Sequence, residues 1–253
     1  MQANSKSTMQ FLAIAIIALL SLIVWLVPAI PQDPAYHNFA DTRKITGINN
    51  FWNVASNLPF ILAGGYGLAN MSALEPQLRT FTRIYSGGLI LICFGSSWYH
   101  LAPDNASLVW DRLSMTISFM AFFAFILSRL ISLQTGIRIL WPLIGLGLFS
   151  VVYWSLTERA GTGDLRLYGV VQFLPALLIP IFLLAFPQRF VPESRSLLWL
   201  GVAAYLAAKF AEWQDQAIYD WSIILSGHSL KHLLAALSSY YFVRVLLVTR
   251  DRI

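Results

Sequence analysis

Charge is what this chain has least of. Only 11% of its 253 residues are Asp, Glu, Lys or Arg, against about 25% in an ordinary soluble domain. Hydrophobic residues fill 57% of it, and mean hydropathy is +0.64. So little charge cannot coat a soluble surface, which sets aside a soluble enzyme, a disordered tail and a nucleic-acid binder. The pI of 9.5 reflects a net charge of only +5 with no basic run. Such a bias is what membrane loops carry on their cytoplasmic side. Cysteine is nearly absent too. Cys93 alone cannot make an internal disulfide, and it sits in an apolar stretch where it packs as a small hydrophobe. With no Cys-x-x-Cys, any metal must be held by His and carboxylates. No strand-like alternation persists, which disfavours a β-barrel, and neither an internal repeat nor a soluble domain is visible.

What the chain does have is long apolar runs. A bilayer core of about 30 Å needs about 20 apolar residues per helix. Eight stretches meet that need: 10–30, 51–71, 83–101, 108–133, 139–156, 168–186, 196–219 and 228–248. Short connections hold the Pro, Gly, Asp and Arg residues, as in Pro31-Gln32-Asp33-Pro34 and Gly161-Thr162-Gly163-Asp164. The expected fold is an all-α polytopic membrane protein. Its first run exceeds a usual signal-peptide core and no Ala-x-Ala site ends it, so a retained helix is favoured. With the N-terminus inside, eight crossings put Lys6, Arg79, Arg83, Arg138, Arg189, Arg195, Arg250 and Arg252 in the cytoplasm. Arg43, Lys44, Arg159 and Arg166 fall outside. The balance places both termini inside.

Ionisable groups in membrane helices face a cavity or a partner. Here they gather at helix ends. His100 closes the third run, Asp111 lies at the start of the fourth, and His228 and His232 open the eighth. The crossing count puts all four at the outer level. His228 and His232 are i and i+4, hence on one helix face. With His100 they make three nitrogens, and three protein ligands with an open position is the catalytic zinc arrangement. Ser96 lies four residues before His100 on the same face, and Asp111 eleven residues after it. A hydroxyl and a carboxylate then flank a zinc-bound water. Each residue also has a plain reading. His-x-x-x-His alone is a weak signal. Ser96 can bond back to its own helix, and Asp111 can pair with Arg112 or Lys231. A metal site and helix-end packing both remain open on the residues alone.

The pattern Ser96-Ser97-Trp98-Tyr99-His100, then Asp111, then Gly227-His228-Ser229-Leu230-Lys231-His232 resembles the alkaline ceramidases. These belong to a superfamily of seven-helix membrane hydrolases that includes adiponectin receptors. Asn50-Phe51-Trp52-Asn53-Val54-Ala55-Ser56-Asn57 is similar to the start of that family's first core helix. The resemblance runs from about residue 50 to 245 and takes in seven of the eight runs, with 10–30 as an addition. It implies a division into residues 1–50, an N-terminal transmembrane helix and outer loop, and 51–253, a seven-helix hydrolase domain. It implies zinc on His100, His228 and His232, with Asp111 and Ser96 as catalytic groups beside the water. It also implies a ceramide-like lipid substrate, cleaved at its amide to a long-chain base and a fatty acid. Animal members carry calcium in an acidic segment before the first core helix. This chain departs there, with Asp33 and Asp41, and Asn50 where those enzymes have Glu, which weakens the case for calcium.

In the expected mechanism Asp111 is the general base and Ser96 a hydrogen-bond donor to the oxyanion. Other polar candidates near the site are Glu212, Asp215, Gln216 and Gln172. His37, in the outer loop, is either part of a lid or a plain loop histidine. Trp213 and Trp221 read as interface belt. Alternatives are a zinc hydrolase for another lipid amide or ester, and a receptor or metal transporter using the same histidines. A transporter needs polar residues at several depths, whereas here they share one level. A receptor would carry a soluble domain. The short loops are similar to those of a bacterial inner-membrane protein whose site faces outward.

Overall fold

The computed structural model describes residues 17, 18, 22 and 24–249. Most of the expected first helix, and Lys6, Arg250 and Arg252, lie outside them. Where that first run is described, residues 17, 18 and 22 are helical, and a 3₁₀ turn at Val24–Leu26 is followed by irregular chain. Pro28, lacking an N–H, ends the run short of residue 30. A second 3₁₀ turn, Pro34–His37, is capped by Asp33, whose carboxylate accepts the Ala35 N–H at 2.8 Å.

The rest is helical, and no strand occurs among the described residues. In order the helices are α1 (Phe51–Ala55), α2 (Leu58–Asn70), α3 (Pro76–Leu101), α4 (Asn105–Leu130) and α5 (Leu133–Arg159). Then come α6 (Arg166–Ala185), α7 (Pro192–Trp213), α8 (Asp215–Ser222) and α9 (Gly227–Val248). α4, α5, α6 and α9 are each long and apolar enough to cross a membrane. α4 is the most enclosed, packed between α3 and α5, while α9 packs on α7, α2 and α3.

Two runs expected as single helices are interrupted. The 51–71 run breaks at Ser56 and Asn57, because Pro59 starts α2 and cannot donate back into α1. The 196–219 run breaks at Gln214, between α7 and α8. Both breaks turn polar side chains toward the end of the bundle where α3 stops and α4 and α9 begin. The α3–α4 connection is set by Asp104, which accepts the Ser107 N–H at 2.6 Å in a reciprocal capping box. That backbone hydrogen bond holds the Asp104 carboxyl below the usual carboxylate range. Close approach of α3 to α4 depends on Gly95, where a Cβ would lie 2.6 Å from the Trp110 carbonyl. A second apolar cluster at this end joins Phe39, Tyr99, Leu108, Val151, Trp154 and Tyr168.

Candidate metal centre

His100 is in the last turn of α3, and its carbonyl accepts the Asn50 side-chain amide at 2.8 Å. Asn50 itself stands in the left-handed region at φ 48°, which Asn tolerates better than most residues. His228 and His232 occupy the first turns of α9, whose N-cap Ser226 accepts the Ser229 N–H at 3.2 Å. The three imidazoles are only 1%, 5% and 4% exposed. Each pair of rings has centroids 4.9 Å apart. The Nε2 atoms of His100 and His228 are 3.3 Å apart, and one nitrogen from each of the three lies within 4.8 Å of the others. Three buried lone-pair donors this close together, with no carboxylate among them, fit a divalent transition-metal ion with an open position.

Surrounding groups hold one of the rings and the start of α9. Ser56 Oγ is 2.8 Å from His232 Nδ1. Asp215 accepts the His228 backbone N–H at 2.6 Å and the Ala40 N–H at 2.9 Å. Asn53 accepts the Ser229 hydroxyl at 2.7 Å and donates to the Asp41 carbonyl at 3.1 Å. Such outer partners set the basicity and aim of metal-binding histidines. Lys231, between the two α9 histidines, has its Nζ 3.4 Å from His228 Nε2 and pairs with Glu212 at 2.8 Å. Glu212 also bonds Lys209.

Asp111 is buried on the first turns of α4 and is not one of the converging groups. The Ser96 hydroxyl, one turn before His100 on α3, lies near the Asp111 carboxylate. The ion pairs that the sequence offered Asp111 do not form: Lys231 goes to Glu212, and Arg112 donates to Gln32 Oε1 at 2.6 Å.

The loop before α1 covers the cluster. Phe39 lies over His100 and His228 with centroids 4.7 and 4.4 Å away. His37 is no free loop residue: its ring bonds Tyr99 Oη at 2.9 Å and Asn105 Oδ1 at 3.0 Å, pinning the loop. Asp41 binds Arg43 through both oxygens, the closest contact being 2.6 Å. Burial raises the Asp41 pKa, but the Arg43 hydrogen bonds outweigh it and hold the carboxyl below the usual range. Gln216 only bonds Asp220 on the exposed surface, and Trp213 and Trp221 are exposed.

The model of the ceramidase family matches residues 37–252. The chain belongs to the ceramidase family. No curated protein matches it. The family match begins within the covering loop and takes in all three histidines, Ser96 and Asp111. It makes the chain a ceramidase-like hydrolase, and the buried histidines give that hydrolase a place for a metal ion. Sequence reading passed over Ser56, Asn53 and Phe39 as site groups. Asn53 and Ser56 are i and i+3 in the Asn-Phe-Trp-Asn motif, a one-face spacing that was there to be read.

Proposed function

We propose that the chain is a zinc-dependent intramembrane hydrolase that cleaves the amide of ceramide or a related N-acyl lipid, releasing a long-chain base and a fatty acid. What supports this reading is the convergence of the buried His100, His228 and His232, with Ser96 one turn before His100 on α3 and Asp111 buried in the first turns of α4. His100, His228 and His232 would hold the zinc, which would supply Lewis acidity toward water and the amide carbonyl. Asp111 takes the proton of the attacking water and passes it to the leaving amine nitrogen. Ser96 orients the Asp111 carboxylate through its hydroxyl, and turns to the oxyanion as charge builds there. Phe39 excludes water from the rings. The histidines must stay neutral to bind metal, so acid releases it.

Residues 1–50 supply a membrane segment and the covering loop, and 51–253 the helices that carry the ligands. A site at the end of the bundle suits a lipid whose tails stay in the bilayer while its amide lies near the interface. We place that end outward in a bacterial inner membrane, with both termini cytoplasmic. The test is elemental analysis of purified protein alongside ceramide turnover. Wild type is expected to hold about one zinc per chain, as three protein ligands imply, and His228→Ala to lose zinc and turnover together. Full activity in metal-free His228→Ala protein would overturn the mechanism.

A further inference from the structure

Next to Asp111 on α4 is a cation that the hydrolytic mechanism does not use. Arg112 is 5% exposed, and no carboxylate lies within ion-pairing distance of it among the described residues. Its guanidinium is held by aromatic faces, with Trp154 at 4.1 Å, Tyr168 at 4.6 Å and Tyr36 at 5.7 Å from Cζ. One neutral oxygen, Gln32 Oε1, meets its NH2 group, while NH1 is buried with no acceptor. The indole Nε1 of Trp154, fully buried against it, has no acceptor either. A guanidinium offers five donors in a planar fork and keeps its charge at any working pH. Leaving such a group unpaired at membrane depth is expensive, so its position calls for an anionic acceptor.

Arg112 is also close to the chemistry. Trp154 and Tyr168 belong to the same packed cluster as Phe39, which lies on His100 and His228. The guanidinium therefore packs on the same apolar cluster that lies against the histidines. Gln32 and Tyr36, the groups that close over Arg112, both come from the chain segment that leads into the Phe39 loop, so moving that segment opens both places together.

We infer that Arg112 is the oxyanion-binding residue of the substrate pocket, and that the lipid amide this chain takes carries a carboxylate or phosphate near the scissile bond. This deepens the hydrolase reading and rests on it. Gln32 Oε1 occupies the place of one oxygen of that anion in the closed state, and NH1 and the Trp154 indole take the others. An Arg fork binds either oxyanion in two-point fashion.

The test uses matched neutral and anionic amides: ceramide against ceramide 1-phosphate, and N-palmitoylethanolamine against N-palmitoylglycine. Zinc-loaded wild type should favour the anionic member by roughly tenfold or more in kcat/KM, the scale of a charge-assisted hydrogen bond. The two pairs tell phosphate from carboxylate. Arg112→Met should abolish the preference while neutral amides are still cleaved. Gln32→Glu keeps the guanidinium and places a carboxylate on it, so it should weaken the anionic substrates selectively. Equilibrium binding of the same lipids to Asp111→Asn protein gives a readout apart from turnover. Preference for the anion in binding, together with no hydrolysis of any of these lipids by zinc-loaded wild type, would sink the hydrolase reading and leave this inference standing. Equal or better use of the neutral lipids by wild type, or an equal loss on all lipids in both variants, would overturn the inference.

Discussion

His232 shows what single residues contribute. Its Nδ1 is fixed by Ser56 Oγ at 2.8 Å, which leaves the other ring nitrogen to face the cluster. Ser56→Ala is expected to weaken zinc about 10–100-fold, the usual cost of losing an outer partner, as read by competition with a chelator. In the proposed mechanism Asp111 has a different task and a different signature. Asp111→Asn should lower ceramide turnover by about 10²–10⁴, the range of general acid–base catalysis, with zinc content unchanged on the same sample. Loss of zinc in that variant would make Asp111 a ligand. The three histidines were legible in the sequence, because His is scarce, the i, i+4 spacing is rigid, and an ionisable group in an apolar helix stands out. Ser56 and Asn53 were not, since small polar residues near a proline are ordinary helix-break chemistry.

At the level of elements, helix contacts and loop anchors decide whether those residues meet. Gly95 lets α3 and α4 approach closely, one residue before Ser96 and opposite the turn that carries Asp111. Gly95→Ala should cost about 1–3 kcal/mol, as overpacking does, and should lower zinc content through displacement of α3, measured by detergent melts and elemental analysis. The α5–α6 connection is anchored by Asp164. Hydrogen bonds from the Arg166 side chain hold its carboxyl down to about 2, against an ordinary 3.8. Arg166 in turn donates to the Val27 carbonyl at 2.9 Å, tying the segment before the loop to α6. A carboxyl depressed on folding adds stability that is complete above its unfolded pKa. That stability is lost as pH falls through the folded value. Asp164→Asn should therefore melt lower than wild type above about pH 4, with the gap closing as pH falls to about 2. Melts at stepped pH read this directly, and a gap that persists at pH 2 would remove the ion pair as its cause. Hydropathy located most of these helices, but not the breaks at Ser56–Asn57 and Gln214. Apolar counts run through such breaks, because a proline or a turn of two residues hardly changes the average.

Across the whole molecule, the histidines stand at one end of the bundle, and orientation decides which water they meet. The excess of Lys and Arg predicts that the 160–165 loop faces outward and the 187–191 connection inward. Thr162 and Gln188 are both exposed and Cys93 is buried. Thr162→Cys should therefore react with a membrane-impermeant maleimide in intact cells and Gln188→Cys should not. The reverse pattern would invert the topology.

Sequence by itself determined that this is an α-helical membrane protein with three histidines, a serine and an aspartate at one membrane level. Composition, span length and helical period are local or additive properties, and they can be read without knowing what touches what. Only the tertiary structure decided that Asp111 forms no ion pair with Arg112 or Lys231, that Phe39 closes over the rings, and that Arg112 is buried among aromatic rings with no carboxylate at ion-pairing distance. Those outcomes depend on which helices pack together and how closely, and on where a loop far off in sequence comes to rest. In a chain with so few charges, each choice of partner leaves some other group without one.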